Sequence, residues 1–310
     1  MPAPPATIRV NAVSKHYGRQ IAVDRLTFTV EPGQICALLG PNGAGKTSTM
    51  RMLVGLAKPD TGAVHIADMQ VTLGAAVLQR VGVLIDGPAF VPHLTGTANL
   101  KLLWAATRQQ WPPPGLADAL DLAGLGPAID RKVKGYSTGM KQRLILAQAL
   151  MRRPQVLILD EPATGLDPAE VRALRQQLAA RAAAGATVLI SSHQLAEVQQ
   201  LASHLVVMNQ GRLVTAGRLD DLLGGAGPGT YRIRTEDPDQ ALAVLRNTDG
   251  VMAATTQDGD VVVTAPTVPA SSLVAALVRA GVAVTGADPA RQSLEDAYLA
   301  ITEGRDHAAL

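Results

Sequence analysis

A glycine-rich loop directly after a short apolar run is the feature that most constrains this 310-residue chain. The run Ile35–Leu39 is typical of a buried strand, and residues 40–47 then match the pattern G-x-x-x-x-G-K-[ST]. A helix is predicted to begin near Lys46 and to end near Gly55. Strand, loop and helix in this order are the setting in which such a loop binds phosphate. The residues of the loop are Gly40, Pro41, Asn42, Gly43, Ala44, Gly45, Lys46 and Thr47.

The residue types of this loop suit a nucleoside triphosphate. Glycines let backbone N–H groups converge on phosphate oxygens without obstruction by a Cβ atom. The helix that follows adds the positive end of its dipole. Lys46 can bring a mobile positive charge to the β- and γ-phosphates, and the Thr47 hydroxyl can bind Mg²⁺. A glycine-rich turn that matches by chance is the alternative, and the flanking strand and helix disfavour it.

A second apolar run, Val156–Leu159, ends in the acidic pair Asp160 and Glu161. Ligands bind at the carboxyl ends of strands in parallel sheets, so both side chains are candidates for a site. Asp160 is placed to hold Mg²⁺ through water, and Glu161 to orient or deprotonate an attacking water. The alternative is an acidic turn exposed to solvent, and the phosphate loop on the same chain disfavours it.

The pattern around these motifs predicts an α/β fold with a parallel sheet. Strands are predicted at 8–13, 26–30 and 188–190, and an Ala- and Leu-rich helix at 171–184. Residues 88–150 read as mainly helical, interrupted by a proline-rich connection at residues 111–115.

The residues after the glycine-rich segment 223–229 predict a separate small α+β module. Its elements read as strand, helix, two strands around Asp258-Gly259, helix, a strand at 282–284 and a final helix at 294–301. The order βαββαβ suggests a ferredoxin-like module. The predicted division is a main domain at 7–222, a linker at 223–229 and an accessory domain at 230–303.

Composition excludes several classes of protein. Lys and Arg number 28 against 26 Asp and Glu, so no strongly basic surface points to nucleic acid. The single cysteine, Cys36, allows no intrachain disulfide, which suits the cytosol. Residues 1–6 lack the apolar core of a signal peptide, and no run of about 18 uncharged apolar residues occurs. We therefore expect a chain that does not span a membrane.

A third segment narrows the class, because a phosphate loop and an acidic strand end occur in many P-loop NTPases. Residues 136–143, YSTGMKQR, stand shortly before the acidic strand and resemble the signature sequence of ABC ATPases. Tyr17 stands where that family has an adenine-stacking aromatic residue. Residues 165–167, GLD, resemble the D-loop, and residues 191–193, SSH, resemble the segment of the switch histidine. The resemblance covers roughly residues 7–220.

The resemblance implies a role for each of these segments. The Ser137 hydroxyl and the Gly139 backbone would contact the γ-phosphate of ATP held by a second copy of the chain. Asp167 would reach across the same interface, His193 would contact the γ-phosphate and position the water, and Tyr17 would stack on adenine. The catalytic set is then Glu161, His193 and Lys46. The nucleotide contacts would be Tyr17, Gly40, Pro41, Asn42, Gly43, Ala44, Gly45, Lys46, Thr47, Ser48, Asp86, Ser137, Gly139 and Asp167.

The chain departs from the family pattern at two places. Asp86 stands where most members have Gln; it is carried over as a contact to ATP and, with Thr47 and Asp160, as a ligand of Mg²⁺. Asp is shorter than Gln and charged, so we expect it to reach the metal only through water, and we hypothesise that it mainly couples to a membrane subunit. In the signature, Tyr136, Thr138 and Met140 replace the commoner residues, while the Ser and Gly of the phosphate contact remain.

The implied fold is a P-loop NTPase of ABC type, with a parallel core sheet, an antiparallel β-subdomain, a helical subdomain at about 88–150 and the small C-terminal module. The implied function is the ATP-hydrolysing subunit of an exporter for a drug, peptide antibiotic or lipid-like compound, similar to the bacitracin-type and multidrug branch. Its expected partners are a second ATP-binding subunit and a separate membrane permease, at the cytoplasmic face of the membrane. A soluble ABC-type ATPase without a transport role is the alternative; a scaffold that only binds ATP is disfavoured by Glu161 and His193.

Overall fold

The computed structural model describes residues 7–87, 89–192, 194–223, 229–257, 259–290, 294–295 and 298. The chain divides into two compact units, Met1–Gly217 and Arg218–Leu310. The division comes before the sequence-based boundary at residue 222, because the short helix Leu219–Leu222 groups with the second unit. The predicted linker and final helix lie largely outside the described residues.

The strands and helices of the first unit are numbered along the chain. The strands are β1 (Ile8–Tyr17), β2 (Gln20–Val30), β3 (Ile35–Leu39), β4 (Thr61–Ile66), β5 (Met69–Gln70), β6 (Val81–Leu84), β7 (Val156–Leu159), β8 (Thr187–Ser191), β9 (His204–Asn209) and β10 (Arg212–Arg218). The helices are α1 (Lys46–Leu53), α2 (Gly96–Ala105), α3 (Leu116–Ala123), α4 (Thr138–Leu150), α5 (Pro168–Ala183) and α6 (Leu195–Leu201). Short 3₁₀ turns lie at Ala76–Arg80, Gly126–Asp130 and Val133–Gly135.

A six-stranded sheet in the order β10-β9-β3-β8-β7-β6 forms the centre of this unit. β3 pairs in parallel with β8 and β9, and β7 pairs in parallel with β6 and β8. Leu159 is in register with Leu84 and with Ile190, so the three strands end at the same edge of the sheet. The parallel sheet predicted from the apolar runs is thus confirmed, and β3, β7 and β8 are buried throughout, as strands covered on both faces are.

A second, antiparallel sheet in the order β2-β1-β4-β5 packs with the first around a common core. The buried side chains of this core include Val10, Leu26, Ile66, Leu38 and Ile158. Burial in β3 raises the pKa of the Cys36 thiol to about 12, so this side chain is an apolar packing group. The antiparallel subdomain implied by the family resemblance is therefore present.

The helices α2, α3 and α4 lie inside residues 88–150, the segment predicted to be mainly helical, and occupy about half of it, with a connection around residues 111–115. The helix predicted at 171–184 begins earlier, at Pro168. Asp167 caps it by accepting hydrogen bonds from the backbone of Ala169 and Glu170, and the Glu170 side chain returns a bond to the Asp167 N–H. Proline suits the first turn because its missing N–H has no partner there, and it extends the helix towards its cap.

The second unit holds the predicted βαββαβ order. After α7 (Leu219–Leu222), its elements are β11 (Thr230–Thr235), α8 (Pro238–Arg246), β12 (Ala253–Gln257), β13 (Asp260–Thr264), α9 (Ala270–Arg279) and β14 (Val284–Pro289). The antiparallel sheet has the order β12-β13-β11-β14, and its core includes Ile233, Val261 and Leu273. The strand predicted at 282–284 was placed too early: Val282 closes the turn after α9, where its N–H donates to the Leu277 carbonyl, and pairing begins at Val284. Among the described residues, no helix is both long and apolar enough to cross a bilayer.

Each unit has its own buried core, so we expect each to respond separately to a core truncation. Leu38→Ala and Leu273→Ala each remove a fully buried side chain, from the first and the second unit. Each should lower the free energy of unfolding of its own unit by about 2–5 kcal/mol. Both tryptophans, Trp104 and Trp111, lie in the first unit, so tryptophan fluorescence during urea denaturation reports on that unit alone.

Leu38→Ala should therefore shift the fluorescence transition to lower urea. Leu273→Ala should leave that transition in place and shift only the part of the circular-dichroism transition that comes from the second unit. An equal fluorescence shift in both variants would contradict separate cores.

Candidate functional site

Two glycines of the phosphate loop, Gly40 and Gly45, stand where any other residue would clash with the backbone. Gly45 caps α1 with a left-handed φ of 98°, and a Cβ atom added there would lie 2.3 Å from the Ala22 carbonyl oxygen. A Cβ at Gly40 would lie 2.4 Å from the Met208 carbonyl oxygen, although its φ is ordinary. The loop is thus pressed between β2 and β9, with its backbone free of side chains where an anion would approach.

Lys46 closes the loop on itself. Its Nζ atom donates to the carbonyl oxygens of Gly40 at 2.6 Å and Pro41 at 3.2 Å. Burial lowers the pKa of Lys46, and the charges of Glu161 and Asp160 act in the opposite direction. The ammonium group is therefore a partly desolvated cation that an incoming phosphate can take over from the two carbonyls.

A cleft of about 470 Å³ opens over this loop. Its size lies within the range of small-ligand sites. It is lined by Tyr17, Gln20, Ala22, Asn42, Gly43, Ala44, Gly45, Lys46, Thr47, Ser48, Asp160 and Glu161. Most nucleotide contacts expected from the sequence are thus brought together, together with the two acids from the end of β7.

Asp160 is the centre of a hydrogen-bond network at the edge of the sheet. The Thr47 hydroxyl donates to Asp160 Oδ2 at 3.2 Å, and the Ser191 hydroxyl donates to Asp160 Oδ1. The Ser191 hydroxyl also accepts from the Glu161 N–H at 2.9 Å. Glu161 has a left-handed φ of 49°, and this bond helps to hold its backbone there. A hydroxyl and a carboxylate side by side are the hard oxygen donors that Mg²⁺ prefers.

The signature segment contacts the backbone that follows the acidic strand β7. Gln142 in α4 donates from Nε2 to the carbonyl oxygens of Glu161 and Pro162, both at 3.2 Å. Ser137 caps α4 and accepts from the Met140 N–H at 3.2 Å. A Cβ atom on Gly139 would lie 2.6 Å from the Gly165 carbonyl oxygen, so the signature and the predicted D-loop are in contact.

Six of the fourteen predicted nucleotide contacts do not line the cleft. They are Gly40 and Pro41 at the start of the phosphate loop, Asp86, and the three residues expected to serve a second copy, Ser137, Gly139 and Asp167. Ser137 and Asp167 are exposed, and each caps a helix. Their positions fit the expectation that they serve a different copy of the chain, which stays a prediction.

The remaining predicted residues fall in three different places. Tyr17 lines the cleft with 46% of its surface exposed, and the Lys15 ammonium lies 5.5 Å from its ring centre. Asp86 does not line the cleft; its carboxylate is bound by both Nε and Nη2 of Arg51, at 3.0 and 2.7 Å. His193 lies outside the described residues.

Three further residues contact the predicted site residues, although no role is predicted for them from the sequence. The Ser191 hydroxyl bonds the Asp160 carboxylate and the Glu161 N–H. Gln142 bonds the Glu161 carbonyl oxygen, and Arg51 binds the Asp86 carboxylate. The signal for Ser191 was its position at the end of an apolar run, since the ends of parallel strands meet at one edge. Nothing in the sequence pairs Arg51 with Asp86, because that contact depends on the fold.

Comparison with known proteins identifies related chains. Residues 23–164 match the family model described as ABC transporter. The bacitracin transport ATP-binding protein BcrA of Enterococcus faecalis is 33% identical over 301 residues, which cover 96% of each chain. The Nod factor export ATP-binding protein I of Paraburkholderia xenovorans is 39% identical over 221 residues, 69% of this chain and 71% of the relative.

A solved structure described as the ATP-binding subunit of an ABC transporter superposes with a TM-score of 0.64. It is 30% identical in sequence and covers 69% of this chain and 91% of its own. The ABC-type fold and the resemblance to bacitracin-type proteins are thereby confirmed.

The network around Asp160 predicts a measurable role for Ser191. Ser191→Ala removes the hydroxyl that bonds Asp160 and Glu161. Because the substitution removes only one oxygen atom, we expect the fold to be retained. Two lost hydrogen bonds to a charged side chain and to a strained backbone should reduce nucleotide turnover about tenfold. Steady-state phosphate release measures the change.

Ser192→Ala is the matched control, because the Ser192 hydroxyl bonds only the backbone N–H of Gln194 among the hydrogen bonds described. Turnover by Ser191→Ala equal to that of Ser192→Ala would contradict the role of Ser191.

Proposed function

This chain belongs to the family of ABC transporter ATP-binding proteins, and from that premise we propose that it binds and hydrolyses ATP to drive export through a separate membrane protein. The observation that carries the proposal is the joining of Lys46, Thr47, Asp160 and Glu161 around one cleft. They come from two parts of the chain: Lys46 and Thr47 lie where the phosphate loop runs into α1, and Asp160 and Glu161 follow β7. Together they offer a cation, a metal-binding oxygen pair and a carboxylate base.

ATP phosphates would occupy the loop, with the backbone N–H groups and the start of α1 facing them. Lys46 would move from the two carbonyls to the phosphate oxygens. Thr47 and Asp160 fit Mg²⁺, since their oxygens lie 3.2 Å apart beside the loop. When bound, that ion would neutralise charge on the phosphates.

Glu161 is proposed as the base that orients the attacking water and accepts its proton. Its backbone is held from two sides, by the Ser191 hydroxyl and by Gln142 of the signature helix. His193, assigned by resemblance, is proposed to contact the γ-phosphate. Because Gln142 joins α4 to the backbone of the base, a shift of the signature helix would also move Glu161.

A second copy of the chain is proposed to complete the site. Ser137 and the N-terminus of α4 are exposed and away from their own cleft. A symmetric head-to-tail dimer would bring them onto the γ-phosphate bound by the partner and create two equal sites. Asp167, at the exposed N-terminus of α5, would face the same interface.

Export is proposed from the kinds of protein that this chain resembles. One relative is named for bacitracin transport and another for Nod factor export. The cargo class would then be a drug, a peptide antibiotic or a lipid-like compound. The segment with α2, α3 and α4 would contact the permease at the cytoplasmic face of the membrane, with Asp86 at its entry.

The base assignment predicts that chemistry and binding can be separated. Glu161→Gln keeps the size of the side chain and removes its charge, so turnover should fall about 10²–10⁴-fold while ATP binding persists. Trapped Mg-ATP should convert the protein to a dimer, which sedimentation velocity measures.

Glu31→Gln is the matched control, since Glu31 lies on the surface and bonds Thr7 away from the cleft. Normal turnover by Glu161→Gln would remove the base assignment. A Glu161→Gln protein that stays monomeric with saturating Mg-ATP, alone or with its permease, would contradict the shared site.

The partner assignment predicts conditional membrane attachment. Co-expression with its membrane permease should move the ATPase into the membrane fraction, and omission of the permease should leave it in the supernatant. Equal distribution in both cases would favour the soluble ATPase without a transport role.

A further inference from the structure

The pair between Arg51 and Asp86 is the feature of the site region that the proposed chemistry does not use. Arg51 lies in the last turn of α1, the helix that begins at the phosphate-binding Lys46. Asp86 lies in the loop after β6, on the way to α2. One ion pair therefore ties the phosphate-loop helix to the loop that leads into the helical segment.

The geometry of this pair is more specific than that of most surface ion pairs. Nε and Nη2 of Arg51 each meet a different Asp86 oxygen, at 3.0 and 2.7 Å, in the parallel arrangement that suits guanidinium and carboxylate. The pKa of Arg51 is raised, first by its hydrogen bonds to Asp86 and then by the Asp86 charge, with a smaller contribution from Tyr17. Both acceptor oxygens of Asp86 are thus engaged.

The pair is nonetheless easy to open. The side chains of Arg51 and Asp86 are 41% and 46% exposed, so water and salt screen their attraction. The backbone of Asp86 has a left-handed φ of 63°, and Gly87 follows with a φ of 77°. The carboxylate is therefore held outside the cleft by a local backbone conformation and one exposed contact.

Asp86 lies at the edge of the sheet where the acids are. Leu84 is in register with Leu159, and the Asp160 N–H donates to the Leu84 carbonyl oxygen at 2.7 Å. Asp86 lies two residues after Leu84, and Glu161 likewise lies two residues after Leu159. Neighbouring strands lie about 4.8 Å apart, so a released Asp86 carboxylate is within reach of an ion held by Asp160 through water.

We propose that Arg51 is a positioning residue that competes with the nucleotide-bound Mg²⁺ ion for the Asp86 carboxylate. The proposal rests on the proposed function, because it needs a metal–nucleotide complex in the cleft. While the pair is closed, Asp86 contributes no charge to the metal site, and when it opens, Asp86 adds one. Arg51 thereby sets how strongly Mg²⁺ strengthens ATP binding.

The test uses the full chain with Glu161→Gln, so that hydrolysis does not interfere. The probe is N-methylanthraniloyl ATP, whose dissociation constant is measured by fluorescence with Mg²⁺ and with EDTA. Arg51→Gln should increase the Mg²⁺-dependent gain in affinity about threefold to tenfold, the effect of freeing one charge at a water-separated distance from the ion. Arg153→Gln, which breaks the exposed pair with Asp118 instead, should leave the gain unchanged.

Two further measurements separate this role from a merely structural one. In an Asp86→Asn background, Arg51→Gln should have no effect on the Mg²⁺-dependent gain, because no carboxylate is left to release. Near 1 M salt, where the screening length is about 3 Å, the gains of the parent and Arg51→Gln should converge.

Equal gains in the parent and Arg51→Gln at low salt would overturn the proposal, as would an effect of Arg51→Gln that persists with Asp86→Asn. Either result, with the probe still bound tightly in the presence of Mg²⁺, would leave the proposed ATP-binding function intact. Failure of the parent itself to bind the probe would refute that function instead.

Discussion

The hydrogen bonds to Asp160 are the interaction on which the rest of the site depends. Thr47 comes from the helix after β3, Ser191 from the end of β8, and Asp160 from the end of β7 between them in sequence. Parallel register brings these ends to one edge, and the carboxylate then fastens the phosphate loop to the sheet. A slip of one residue in β7 would turn Asp160 to the other face and separate the loop from the base.

The cation of the phosphate loop has partners within the chain before a ligand binds. Lys46 is satisfied by two carbonyl oxygens, although burial disfavours its charge. Phosphate binding therefore exchanges one set of oxygen contacts for another and exposes no unpaired cation. Preorganisation of this kind lowers the ordering cost that an anion would otherwise meet on binding.

The parts of the molecule that follow local rules were predictable from the sequence. The phosphate loop, the apolar strands and the acidic pair each depend on residues close together in the chain, as does the βαββαβ order of the second unit. The early start of α5 differs from the prediction, because Asp167 caps the helix and Pro168 opens its first turn before the Ala- and Leu-rich run begins. The Arg51–Asp86 pair could not be predicted, since two residues 35 positions apart meet only because the fold brings the last turn of α1 beside the loop after β6.

The charge of the proposed ligand would account for the need for contacts from a second copy. A nucleoside triphosphate carries several negative charges, whereas the cleft supplies one lysine, the start of α1 and the oxygens for one metal ion. The N-terminus of α4 is a second ready-made site for an anion, with Ser137 exposed at its cap. Ser137 does not line the cleft of its own chain, and Gln142 ties α4 to the backbone after β7, so we propose a second copy as the source of the further contacts. Binding and association are then the same event, and loss of the γ-phosphate would remove the contact that joins the copies.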